Sequence, residues 1–180
     1  MGKPKISSDW LAGCAGCHMS LLDIDERIVK IAELADLRAT PITDLKEPDK
    51  EGVDVGILEG GVNNTANEEV AHRMRKRCSL LVAFGDCAVF GGVPAMRNFF
   101  TLEESLRRAY VETESTDAEG KIPDDPELCV PTKVRALSEV VPVDIFLPGC
   151  PPDPDLIYYV LSELAQGRRP ELKEGQIHWH

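Results

Sequence analysis

VDVGILEGG, Val53 to Gly61, is an apolar, β-branched run that stops at two glycines. A run of that length with a glycine stop reads as a strand buried on both faces, the kind a parallel sheet uses. The flanking text repeats the theme. Lys5 to Leu11 reads as a first strand. From Met19 to Leu37, apolar residues recur at Leu21, Leu22, Ile24, Ile28, Ile31, Leu34 and Leu37, spacings that predict one amphipathic helix. Leu37 to Ile42 predicts a short second strand, ended by Pro41 and the polar stretch LKEPDKEG. Beyond Gly61, Asn64 or Thr65 is placed to cap a helix running to about Arg77, with Glu68 and Glu69 at its positive end. SLLVAFGDC (Ser79–Cys87) gives a fourth strand, and VDIFLPGCPPDP (Val143–Pro154) a fifth. Asp153 then caps a last helix through Ala165, which ends at Gly167. Strands alternating with helices predict an α/β fold: a flavodoxin-like five-stranded parallel sheet with helices on both faces.

Residues 1–180 suit a single domain with a full core. A polar, acidic surface excursion interrupts it at about 101–130, around TESTDAEGKIPDDPELC. The net charge of -11 speaks against nucleic acid, whose phosphates need a basic surface, and points to protein partners. No apolar run approaches bilayer length, so no transmembrane segment is expected. With no signal-like start either, the expected location is cytoplasmic.

In open parallel sheets, ligands sit beyond the carboxyl ends of the strands. That rule sorts the six cysteines. Cys14 and Cys17 follow strand one in WLAGCAGCHMS, Cys87 follows strand four in GDCAVFGG, and Cys150 follows strand five in PGCPP. All four belong to one edge of the sheet. Cys78 stands at the opposite edge, and Cys129 in the excursion. In a reducing cytosol these are thiols rather than disulfides. Four thiolates suit zinc or an iron–sulfur cluster. One local pair plus two distant singles fits the larger body of a cluster more readily than a zinc site built from two local pairs. A redox CxxC is the alternative for the first pair, and leaves Cys87 and Cys150 unexplained.

WLAGCAGCHMSLLD, ILEGGV, FGDCAVFGGVPAMRN and LPGCPPDP, in that order, resemble the small subunit of [NiFe] hydrogenases. They also resemble the related 20 kDa-type cluster-bearing subunit of respiratory complex I. The resemblance implies a flavodoxin-like fold in which Cys14, Cys17, Cys87 and Cys150 bind the proximal [4Fe–4S] cluster. CAGC matches the hydrogenase form, whereas the complex I relatives carry adjacent cysteines there. No cysteine follows Cys150, so one cluster is expected. Together with the missing twin-arginine leader, this implies the small subunit of a cytoplasmic, NAD(P)-linked bidirectional hydrogenase. Its partners would be a large subunit with the nickel–iron site and diaphorase subunits with flavin and further clusters. The enzyme implied is a hydrogen:NAD(P) oxidoreductase, with no hydrogen-splitting site in this chain. The alternatives are a quinone-linked complex I subunit and a flavin-binding flavodoxin-like protein. FMN is not expected, because CAGCHMS lacks a Ser/Thr-rich phosphate cradle.

Around this site, Gly13, Gly16 and Gly149 are expected to offer backbone N–H groups to sulfur, and Pro151 and Pro152 to shape the loop. Glu59, after strand three, reads as an interface or proton-path residue, against a helix-capping or solvated carboxylate. His18 is expected to pack or hydrogen-bond near the site, with replacement of one thiolate as a ligand the minor reading. His72 lies on a charged helix and should face solvent, and His178 and His180 flank Trp179 in a tail suited to a partner or an adventitious metal. Of the aromatics Trp10, Phe84, Phe90, Phe99 and Phe100, some should face a partner, and VFGGVPAMRNFF (Val89–Phe100) reads as interface.

Overall fold

The computed structural model describes residues 2–117, 119–173 and 175. Strand β1 (Lys5–Trp10) leads to helices α1 (Gly16–Leu22) and α2 (Arg27–Leu34), then to a two-residue strand β2 (Asp36–Leu37). Next come β3 (Val53–Glu59), β4 (Val62–Asn64), α3 (Thr65–Arg77), β5 (Cys78–Phe84) and α4 (Asp86–Phe90). A 3₁₀ segment (Val93–Phe99), α5 (Leu102–Tyr110), β6 (Pro131–Arg135) and a 3₁₀ turn (Leu137–Glu139) precede β7 (Ile145–Leu147) and α6 (Pro154–Ala165).

Five strands form one sheet in the order β2-β1-β3-β5-β7, every pair parallel. This is the flavodoxin-like order, with its switch point between β1 and β3. Side-chain alternation divides the core between two faces. Ile6, Ile57, Val82 and Ile145 pack with Ile24, Ile31 and the α6 residues Ile157, Val160 and Leu164. Leu58, Leu81 and Ala83 face the other way, onto Ala71 and Met74 of α3 and Ala88 of α4. β3, the central strand, is therefore buried on both sides except at Asp54, as its largely apolar run required.

The helix caps follow the sequence. Asn64 Oδ1 accepts from Asn67 N at 2.8 Å to open α3. Asp153 accepts from Asp155 N and Leu156 N to open α6.

Several local expectations change. The single helix expected over Met19–Leu37 is two helices, broken at 23–26, where Asp25 takes φ 55 and its N–H bonds Leu22 O. Aspartate tolerates that left-handed turn. The apolar spacing gives no warning, because Ile24 in the break is itself fully buried. The second strand pairs only at Asp36–Leu37; the chain then leaves β1 through Ala39 and turns at Thr40–Leu45 around Pro41. The fifth strand is paired only over Ile145–Leu147. A separate antiparallel pair, β4 with β6, adds to the expected elements. Of the expected excursion, the first part is α5, whose start is a capping box between Thr101 and Glu104. From Val111 to Val130 no helix or strand forms among the described residues. His178, Trp179 and His180 lie outside the described residues. Among the described residues, no helix is long and apolar enough to cross a membrane.

Candidate metal centre

The register aligns the strand ends. Trp10 of β1 sits opposite Glu59 of β3, Glu59 opposite Phe84 of β5, and Phe84 opposite Leu147 of β7. From this row the cysteine loops depart together. Backbone bonds lace the loops in pairs. Ala12 and Gly61 exchange N–H···O bonds of 2.9 and 2.8 Å, fixing the loop of Cys14 to the end of β3. Gly85 N bonds Leu147 O at 2.8 Å and Asp86 N bonds Gly149 O at 2.9 Å, fixing the loop of Cys87 to that of Cys150. Ser20 Oγ donates to Pro152 O at 2.6 Å, tying α1 to the same loop. The Cys150–Pro151 peptide is cis.

Cys14, Cys17, Cys87 and Cys150 line one cavity of ≈ 100 Å³, with Gly13, Gly16, Gly60, Gly149 and Glu59 in its walls. All four are free thiols, as are buried Cys78 at the far end of β5 and exposed Cys129 beyond α5. Glycine makes this closeness possible. A Cβ on Gly85, whose φ is +81, would fall 2.2 Å from Cys17 Sγ. A Cβ on Gly60, at φ +89, would meet Ala12 backbone at 2.9 Å. Among the described residues, no three metal-binding side chains gather tightly enough for a single ion. Four thiols around one cavity suit an iron–sulfur cluster, which cysteine thiolates hold.

The electrostatics point the same way. Burial, then Glu59 and the other three cysteines, push the Cys17 thiol well above its ordinary pKa. Burial, then Cys150 and Cys14, raise that of Cys87. Four thiolates crowded in a part-buried site repel each other until a multivalent cation neutralises them. The donor set and the cradle therefore both fit a metal cluster.

Glu59 and His18 are placed differently from a solvated acid and a spare ligand. Glu59 is 2% exposed. Its Oε2 accepts from His18 N at 2.7 Å and lies 2.7 Å from His18 Nδ1. His18 Nε2 is 2.9 Å from Ser8 Oγ, and the ring stands edge-on to Trp10 and Phe84. With both ring nitrogens engaged, His18 packs beside the site and has no lone pair turned to it. Gly149 N–H is already donated to Asp86 Oδ1 at 2.7 Å, so the expected bond from Gly149 to sulfur is not available. Sequence reasoning missed Asp86, whose partner Gly149 lies in the loop after β7, and Ser8, whose partner His18 lies on α1. His72 is solvent-facing, as expected, with 59% of its side chain exposed.

Cys14, Cys87 and Cys150 also border a broad surface depression shared with Asn63, Val93 and Pro94. Beside it the apolar stretch stands out from the surface: Phe90, Val93, Met96, Phe99 and Phe100 are all exposed, Phe99 by 84%. Phe84 is core and Trp10 is half-exposed.

The chain matches a family model described as NADH ubiquinone oxidoreductase, 20 Kd subunit, over residues 14–164. It is 42% identical to the NAD-reducing hydrogenase HoxS subunit delta of Cupriavidus necator, covering 93% of this chain and 81% of that one. It is 37% identical to a subunit of the F420-non-reducing hydrogenase of Methanothermobacter thermautotrophicus, but spans only 58% of that protein's length. Among solved structures it superimposes on a chain of an NAD+-reducing [NiFe]-hydrogenase in the H2-reduced state with a TM-score of 0.93. That pair shares 37% identity and covers 99% of this chain and 100% of the other.

Proposed function

The chain belongs to the NADH ubiquinone oxidoreductase 20 Kd subunit family, and from that premise we propose that it is the electron-transfer small subunit of an NAD-linked [NiFe] hydrogenase. The observation that carries this reading is the convergence of Cys14, Cys17, Cys87 and Cys150 on one cavity, within a backbone that follows an NAD+-reducing hydrogenase chain from end to end. In this reading residues 1–180 form one cluster-binding domain, and the four cysteines hold one [4Fe–4S] cluster. When bound, such a cluster takes up and releases electrons one at a time. The chain's own part is structural and electrostatic. The laced loops hold the thiols at fixed positions, and buried Glu59 forms part of the cavity wall. Glu59 braces the Cys17–His18 peptide from below.

Val93 and Pro94, within the apolar stretch Phe90–Phe100, border the same surface depression as Cys14, Cys87 and Cys150. We assign that face to a large subunit carrying the nickel–iron site, with diaphorase subunits of the same cytoplasmic assembly reducing NAD(P). CAGC in place of adjacent cysteines favours this over a quinone-linked role.

The test is iron and acid-labile sulfide per chain on the anaerobically purified complex, with an EPR spectrum after reduction. Wild type should add about four iron to the complex for this chain, a content absent from Cys150→Ala. Stoichiometric zinc, or an unchanged cluster signal in Cys150→Ala, would overturn the assignment. Glu59→Gln, run alongside, should alter the line shape and slow hydrogen/deuterium exchange. Unchanged turnover would take Glu59 out of any proton path and leave only the brace.

A further inference from the structure

A second cavity, of ≈ 150 Å³, lies between the α1–α2 pair and the face of β1 and β3, away from the cysteines. Its inner walls are Ile6, Ile24, Ile31, Ile57 and Leu161, each less than a tenth exposed. Its mouth lies at Leu37 and Ile42, both exposed, where the chain leaves the short strand β2. Its three polar wall residues, Ser8, Thr40 and Thr43, already have partners. Ser8 Oγ is bonded to His18 Nε2 at 2.9 Å. Thr40 Oγ1 bonds Thr43 Oγ1 at 3.2 Å, and Thr43 Oγ1 reaches the carbonyls of Thr40 and Leu45 at 3.3 and 3.2 Å.

A buried water needs two to four polar partners, and these walls offer only three hydroxyls, each already in a hydrogen bond. An apolar pocket of ~150 Å³ has room for one guest of benzene or xenon size. An apolar guest gains dispersion contacts along the buried aliphatic lining. The break between α1 and α2 accounts for the space. Ile24, within the turn at 23–26, and Ile28, in the first turn of α2, both line the pocket.

We propose that this cavity is a binding site for one small, uncharged apolar molecule of about benzene or xenon size, entering between Leu37 and Ile42. No wall residue is one of the four cysteines, so the inference stands or falls independently of the iron–sulfur reading.

The experiment uses the full chain in the assembly with which it purifies. Crystals are pressurised with xenon, and thermal unfolding is followed with and without benzene. Xenon density should appear between Ile24 and Ile57, and benzene should raise the melting temperature of the wild type. Ile28→Phe, which places a larger ring on a half-buried wall, should abolish both effects. Leu37→Phe, at an exposed position that tolerates a larger side chain, should weaken both if Ile28→Phe does not fold. All variants should keep wild-type iron, which separates this test from that of the cysteines. Ordered water in the cavity, no xenon there, or equal responses in wild type and the filled variants would overturn the proposal.

Discussion

Gly85 has no room for a side chain. The Cβ of an alanine would overlap Cys17 Sγ, and its φ of +81 is one that only glycine adopts readily. The backbone strain alone is about 1–3 kcal/mol. It would fall on the site, because the Gly85 N–H and the next residue's N–H are the bonds that join the loops of Cys87 and Cys150. Gly85→Ala should therefore cost the assembled chain most of its iron and sulfide while leaving its far-UV circular dichroism unchanged. Full iron content would show that the thiol of Cys17 has freedom the structure denies it. At this scale the four cysteines were legible in the sequence, because each follows a strand end. The surroundings of His18 were not. Its partners Ser8 and Glu59 lie 10 and 41 positions away, and only the pairing of β1 with β3 brings them together.

Among elements, the parallel strands and the capped helices α3 and α6 could be read from apolar runs and from Asn64 and Asp153. The start of α5 was also written in the sequence, as Thr101 followed by Glu104, but the acidic composition around it masked the signal. The pairing of β4 with β6 had no local signature: Val62–Asn64 is three residues long, and its partner is on the far side of the excursion. One side chain joins three elements. The Asp144 carboxylate, just before β7, accepts from Arg75 Nη1 of α3 at 2.5 Å and from Leu81 N of β5 at 2.7 Å. Burial works to raise its pKa, but these bonds outweigh it and hold the carboxyl below its ordinary range. A carboxyl lowered by folding stabilises the native state above the unfolded pKa, ~4, and loses that contribution as pH falls through the folded value. Asp144→Asn should thus cost about 1 kcal/mol at neutral pH, a figure kept low because a third of the side chain meets solvent. It should also flatten the acid limb of the stability profile. Chemical denaturation at pH 7 and below pH 4 checks both, and parallel profiles would show that the Arg75 pair carries no charge-dependent stability.

For the molecule as a whole, the sequence disclosed the sheet and the edge on which function collects, because a parallel order obliges every crossover to deliver its loop to the same side. It did not disclose how much apolar surface that edge leaves bare. Phe99 and Phe100 are exposed by 84% and 67%, with Phe90, Val93 and Met96 beside them. Covering an aromatic side chain contributes about 1.5–3 kcal/mol. The double variant Phe99→Ser, Phe100→Ser should make the chain expressed alone less prone to aggregate and should weaken its recovery with a large subunit by more than tenfold. Light scattering and co-purification yields measure the two effects, and an unchanged yield would place the partner elsewhere.

The row of Trp10, Glu59, Phe84 and Leu147 also works as a ruler. Cys87 and Cys150 are each the third residue beyond it, and Cys14 the fourth. One residue inserted after that row advances a thiol by ~3.3 Å, a whole step of extended chain. Residues added between Val111 and Val130 leave every count untouched. The gene can therefore drift freely in length along one stretch, while a single-codon insertion in any of three short loops would leave a folded protein that no longer measures true.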